Sequence, residues 1–327
     1  MMWGIHDGQG GSVSGKAPGF EARGWAWFGG DFVPIEQARI SVATHAFNYG
    51  TGCFEGIRGY WNPEHEQVYA VKLLEHFRRM ARSAKMLRIA LPFEPERLAE
   101  IGVELIRRGQ YREDVYLRPI AYKASPVIRV GLLGLEDAYT CFTAPMGAYH
   151  DIEHGLSVTV SGWRRIDDNA IPARGKVTGG YVNAALAIAD AQQAGYDEAI
   201  MLTGDGHVSE ASSCNVFLVS NGAVITPTVA DDILVGITRG AVIEVARDKG
   251  LPVVERKIDR TELFVADEVF FCGTGVQVAP VTSVDGRVVG EGKMGEVTRS
   301  IQETYLAATH GELEQYRHWL TPVYERA

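Results

Sequence analysis

Apolar residues return at helical spacing along "LLEHFRRMARSAKML", where Leu73, Leu74, Phe77, Met80, Ala84 and Leu87 share one face. "PERLAEIGVELIRRG" repeats the pattern, with Pro95 near its start and Gly109 at its end, so it too predicts an amphipathic helix. Around these helices the segments are shorter and bounded by turn formers. "AWFGGDFVP" predicts two short strands joined by a Gly-Gly-Asp turn, and "CFEGIRGYW" and "QVYAVKL" predict a second pair across the polar "NPEHE". "DVYLRPIAY" and "YTCFTAPM" add two more strands. The first half therefore reads as α+β.

"APMGAYHDIEHG" (144–155) is rich in turn formers and has no period, which predicts a domain boundary, set at 148–154. It divides an N-terminal α+β domain, 23–147, from a C-terminal domain, 155–327. In the second half "LSVTVSGW", "EAIMLT", "CNVFLVS", "AVITP" and "DEVFFCGTG" predict strands. "GYVNAALAIADAQQAG" predicts a helix whose small residues allow close packing, and "ITRGAVIEVARDKG" a helix ended by Gly250. Residues 1–22 carry no pattern and are expected to form a disordered tail. They lack the charged and apolar regions of a secretory signal. No apolar run approaches the ~18 residues that a membrane span needs.

Composition narrows the function classes. The 327 residues are 46% hydrophobic and carry a net charge of -9, which argues against a large nucleic-acid footprint. Cys53, Cys141, Cys214 and Cys272 are scattered singly, with no metal-ligand spacing, and read as buried free thiols in a reducing, cytoplasmic setting. Arginine outnumbers lysine 24 to 8, so an unusually placed lysine stands out.

Lys176 in "IPARGKVTGG" is such a lysine. It is either a solvated loop charge or, if shielded from water among its glycines, an amine able to form a Schiff base. Gly236, Ile237, Thr238 and Arg239 open a helix whose N-terminus suits a phosphate dianion; the plainer use of Thr238 is as a helix cap. Gly273-Thr274-Gly275 ends a strand in a turn that can form an anion-binding nest. Glu210, with Asn215 after it, is either a turn residue or a buried acid suited to a protonated pyridine nitrogen. "THAFNYGTGCFEGIRGYW" sets Tyr49, Phe54 and Arg58 among glycines, and Tyr116 and Arg118 alternate along one strand face. Either arginine can clamp an anion or simply pair with an acidic residue. Weak singly, these groups together match the aldehyde, phosphate and ring nitrogen of pyridoxal 5′-phosphate.

With those residues in view, the chain resembles the branched-chain amino-acid aminotransferases, of the fold-type IV class of pyridoxal-phosphate enzymes. The resemblance runs from about Trp25 to about Arg299, through "HAFNYGTGCFEGIRGY", "VYLRP", "SEASSCNVF", "LVGITR" and "DEVFFCGTGVQVAPV". It implies the fold-type IV architecture, a smaller N-terminal and a larger strand-rich C-terminal domain with the cofactor between them. It also implies ping-pong transfer of an amino group between leucine, isoleucine or valine and 2-oxoglutarate. By matching position, Lys176 would carry the cofactor and shuttle the proton, Glu210 would pair with the ring nitrogen, and Tyr181 would bond the phenolic oxygen. Arg58, Gly236, Ile237, Thr238, Gly273 and Thr274 would hold the phosphate. Tyr116, Thr274 and Gly275 would receive the substrate α-carboxylate, while Tyr49, Phe54 and Gly56 would line the side-chain pocket. Arg118 would meet the distal carboxylate of glutamate. The resemblance also implies a homodimer in which a loop of one subunit closes the other's pocket. Arg174 beside the lysine, "RIDDNAIP" and "RVGLLGLEDA" (residues 129–138) depart from the family pattern and leave a scope widened to (R)-amines or D-amino acids as the alternative. A non-catalytic phosphometabolite-binding protein, which would need neither Lys176 nor Glu210, is the alternative from another class.

Overall fold

The computed structural model describes residues 21–147 and 154–325. The tail expected over 1–22 falls almost wholly outside them, as does most of the boundary loop expected at 148–154.

"AWFGGDFVP" folds as expected into β1 (Trp25–Phe28) and β2 (Asp31–Pro34). Gly29 and Gly30 turn between them at φ +63 and +93, a backbone that side chains other than glycine resist. A five-residue helix, α1 (His45–Tyr49), precedes β3 (Gly52–Phe54), β4 (Ile57–Asn62) and β5 (Gln67–Val71). Thus "CFEGIRGYW", expected as one strand, is two. Both pair with β6 (Val115–Lys123), and the interruption at Glu55–Gly56 faces Arg118–Pro119. Proline has no N–H for a ladder, so the pairing breaks there; the Glu55 amide still donates to the Pro119 carbonyl at 3.0 Å.

The predicted helices form as α2 (Leu73–Met86) and α3 (Pro95–Gly109). Leu73, Phe77, Met80 and Ala84 are buried as their period requires, but so are His76, Arg79 and Ser83 on the same side of α2. The hydrophobic core of this half gathers α2, α3 and the inner face of an eight-stranded sheet. Apart from β3, that sheet runs β17–β5–β4–β6–β7–β1–β2, where β7 is Asp137–Pro145 and β17 is Leu320–Pro322. Residues 155–327 were expected to stay together, yet β17 returns to pair antiparallel with β5. Three residues carry no readable period; the strand pairing, the Gln67 side chain and the burial of Val323 in the first core draw this end back.

The second sheet is built from β8 (Leu156–Arg164), β9 (Glu198–Leu202), β10 (Val208–Ala211), β11 (Asn215–Ser220), β12 (Ala223–Thr226), β13 (Val253–Glu255), β14 (Glu268–Gly273), β15 (Gln277–Val284) and β16 (Arg287–Val288). Its order is β10–β9–β8–β15–β14–β11–β12–β13, with β16 on β15. The helices here are α4 (Tyr181–Gln193), α5 (Ile237–Asp248), the short α6 (Glu262–Val265) and α7 (Glu296–Thr309). The small residues of α4 do pack closely, Ala187 and Ala191 lying against Ala199 and Met201.

The loop between β8 and α4 joins the two halves. Val177 bridges to Cys53, and the Thr178 hydroxyl donates to the carbonyls of Gly50 (2.8 Å) and Gly52 (3.0 Å). A Cβ on Gly50 would lie 2.8 Å from the Gly179 Cα, so glycines are required where the backbones meet.

Candidate active site

A cavity of about 640 Å³ opens between the two sheets, and that loop carries Lys176 into its wall. The Lys176 backbone is fixed from the first half of the chain. Its amide donates to the Ser83 hydroxyl at 3.1 Å, and its carbonyl accepts from the Phe54 amide at 3.0 Å. The ammonium lies 5.2 Å from the ring centre of Phe54 and 5.5 Å from that of Tyr181. Lys176 is thus half-buried on the cavity wall. Arg174, two residues earlier, points away: its exposed guanidinium lies 4.0 Å from the Asp168 carboxylate.

Glu210 stands on β10 and is buried. It pairs with Arg165 at 2.7 Å, accepts from the Asn215 side-chain amide at 2.9 Å, and accepts from the Leu234 amide at 3.2 Å. Burial pushes its carboxyl above the usual range, while Arg165 and the Leu234 amide act the other way. Sequence reasoning missed Arg165, which opens "RIDDNAIP", a stretch read only as a departure from the family pattern.

The start of α5, where free amides could receive an anion, lies elsewhere on the same wall. Gly236 caps α5, and Ile237 and Thr238 begin it, so their amides belong to the first turn, which has no intrahelical acceptors. Thr238 is therefore not the cap. A Cβ on Gly236 would fall 2.0 Å from the Asn215 side-chain oxygen, so only glycine fits beside Asn215 here. Gly273, Thr274 and Gly275 line the cavity beside it.

Two expected members are placed differently. Arg58 does not line the main cavity. It donates to Asp114 at 2.8 Å and to the carbonyls of Met146 and Gly147, and borders an adjoining chamber of about 10 Å³ with Thr238 and Thr274. Arg79 does line the cavity, as do Arg118 and Arg165, and the sequence reading gave it no role. Its signal was a set of polar residues, His76, Arg79 and Ser83, inside an apolar stripe. Tyr49 also lies off the cavity wall: it ends α1 with its ring 4.7 Å from His45, over a third exposed.

The remaining wall is aromatic and apolar. Phe54, Gly56, Tyr116 and Arg118 line it as expected. Arg118 donates to the Tyr116 hydroxyl at 2.8 Å and stacks 4.4 Å from the Phe54 ring centre; its Nε is buried with no partner among the described residues. The alternate residues Phe142, Ala144 and Met146 of β7 and the segment after it complete this wall.

The profile of the family described as "Amino-transferase class IV" matches residues 52–284. A protein of Aquifex aeolicus, named "Probable branched-chain-amino-acid aminotransferase", is 45% identical over 303 residues, 92% of this chain and 97% of its own. The crystal structure of the branched-chain aminotransferase of Thermoproteus uzoniensis with norvaline superposes with a TM-score of 0.89 at 41% identity, covering 92% of this chain and 100% of that one. That of the branched-chain amino acid aminotransferase of Thermobaculum terrenum, in its PLP-form, also gives 0.89, at 34% identity, covering 93% and 100%. A purely phosphometabolite-binding protein is thereby set aside. The chain belongs to the class IV aminotransferases, with their fold-type IV architecture, and is an enzyme that works with pyridoxal 5′-phosphate.

Proposed function

We propose that the enzyme moves an amino group between L-leucine, L-isoleucine or L-valine and 2-oxoglutarate, in both directions. The observation that carries this reading is the Lys176 ammonium on a wall shared by a buried acid, a bare helix N-terminus and an apolar pocket. The cavity suits the cofactor. The Ile237 and Thr238 amides on its wall lack intrahelical acceptors and are the donors that a dianion requires.

In this reading the amides of Ile237 and Thr238, with Thr274 and Arg79, hold the phosphate, and Arg58 braces that end from behind through the Gly275 carbonyl. Glu210 holds the ring nitrogen and Tyr181 the phenolic oxygen. Bound pyridoxal phosphate supplies an aldehyde to take up the amino group and a ring that withdraws electrons from the substrate Cα. Lys176 Nζ would anchor the cofactor and, once the substrate amino group has displaced it, accept the proton that leaves Cα and deliver it to the C4′ carbon of the cofactor. Tyr116, Thr274 and Gly275 orient the α-carboxylate. Phe54, Phe142 and Met146 exclude water around an apolar side chain, and Arg118 meets the distal carboxylate of glutamate in the same pocket.

We also propose a cytoplasmic homodimer. All four cysteines are buried and free, which suits a reducing compartment, and no helix among the described residues is long and apolar enough to cross a membrane. Val42 (80% exposed), Phe47, Ile128 (88%) and Val130 are exposed apolar residues on two segments that His45 ties together by bonding the Ser125 and Arg129 carbonyls. Tyr49, over a third exposed beside His45, ends the helix on the first of these segments, so its substrate role is proposed for the cavity of a second copy. A panel of L-amino acids, D-amino acids and (R)-amines with 2-oxoglutarate tests the reading. Turnover confined to L-branched-chain donors supports it; faster turnover of (R)-amines or D-amino acids overturns it.

A further inference from the structure

Glu55 sits at the break between β3 and β4, is 0% exposed, and does not line the cavity. Its carboxylate is nonetheless fully engaged. Arg79 donates to it twice, Nε to one oxygen and Nη2 to the other, each at 2.7 Å, and His76 Nδ1 bonds the second oxygen at 2.8 Å. The third committed donor of Arg79 is Nη1, which meets the Val235 carbonyl at 3.0 Å, one residue before the glycine that caps α5. Three of the five N–H groups of the guanidinium are thus fixed by groups behind the cavity wall. Burial alone would raise the Glu55 carboxyl, but Arg79 and His76 overcome it and hold the acid ionised.

We infer that Glu55 is a positioning residue for the cofactor: it locks the Arg79 guanidinium so that its remaining N–H groups face the phosphate. The inference rests on the proposed contact between Arg79 and the phosphate. A planar fork bound bidentately has one orientation, whereas a free arginine samples many rotamers. Charge alone predicts the opposite, because a carboxylate near a dianion repels it. The sign of the effect therefore separates positioning from simple electrostatics.

The test uses the full chain with Glu55→Gln, measuring equilibrium affinity for pyridoxal phosphate and for pyridoxal, which lacks the phosphate. Positioning predicts about tenfold weaker binding of pyridoxal phosphate and less than about twofold change for pyridoxal. Unchanged or tighter binding of pyridoxal phosphate, or an equal loss for both ligands, overturns it. Because Glu55→Gln leaves Arg79 buried beside a weaker partner, it endangers folding, and Arg79→Gln and the double variant are measured alongside. If Glu55 acts through Arg79, adding Glu55→Gln to Arg79→Gln changes affinity by less than about twofold, and fully additive losses overturn the inference. If Arg79→Gln alone leaves affinity unchanged, the assignment of Arg79 to the phosphate fails. A loss with Arg79→Gln but none with Glu55→Gln removes only the positioning role.

Discussion

A Cβ on Gly56 would lie 2.0 Å from the hydroxyl oxygen of Tyr116. The glycine therefore gives the phenol room to stand at the cavity wall, where it accepts a hydrogen bond from Arg118. Gly56→Ala is predicted to push Tyr116 aside and lower kcat/KM for leucine by about tenfold or more, near 1.4 kcal/mol of transition-state binding. Steady-state kinetics check it.

Gly236→Ala acts at the other end. Its Cβ would meet the Asn215 side-chain oxygen at 2.0 Å, and Asn215 also holds Glu210. Since the backbone φ of −66° suits any residue, the loss is purely steric. Cofactor affinity is predicted to fall about tenfold, read by equilibrium dialysis of pyridoxal phosphate.

Arg118→Ala is predicted to damage turnover of glutamate far more than that of leucine, by about 10- to 100-fold against a few-fold, because only glutamate brings a carboxylate to pair. Some loss with leucine follows from the stacking of Arg118 on Phe54. Equal losses in kcat/KM for both substrates would count against a shared pocket.

The period of the chain made much of this legible. It located α2 and α3, and the alternation of β6 put Tyr116 and Arg118 on one face of the site. Arg79 and Glu55 stayed hidden because a charged residue on an amphipathic helix, or next to a glycine on a strand, ordinarily meets water. Only the folded chain shows that each is the other's partner. Arg58 shows the complementary limit. A strand pattern selects a face, but not which of two neighbouring chambers a long side chain enters. For Tyr49, the closing turn of α1 carries the ring outward, a path that no local spacing encodes.

Acid is predicted to weaken the fold through His76. Burial lowers its folded pKa below the ordinary 6.5, so the unfolded chain takes up a proton that the folded chain refuses. Its contribution to stability is complete above about 6.5 and is lost as pH falls through the lowered folded value. Glu55, with a carboxyl held below its ordinary 4.5, adds a loss of the same sign at lower pH. Between pH 7 and 5 the melting temperature of His76→Gln should fall less than that of the parent protein. Identical slopes would contradict this account.

The central claim is that Lys176 transfers the proton for amino exchange with a branched-chain donor. Its most direct test adds L-leucine, without any oxo acid, to protein reconstituted with pyridoxal phosphate. The visible absorbance band should collapse and release a stoichiometric amount of the 2-oxo acid of leucine. Lys176→Ala should retain phosphate-driven cofactor binding yet form that product at least about 10³-fold more slowly. An unchanged band in the parent protein, or product from Lys176→Ala at the parental rate, would contradict the account.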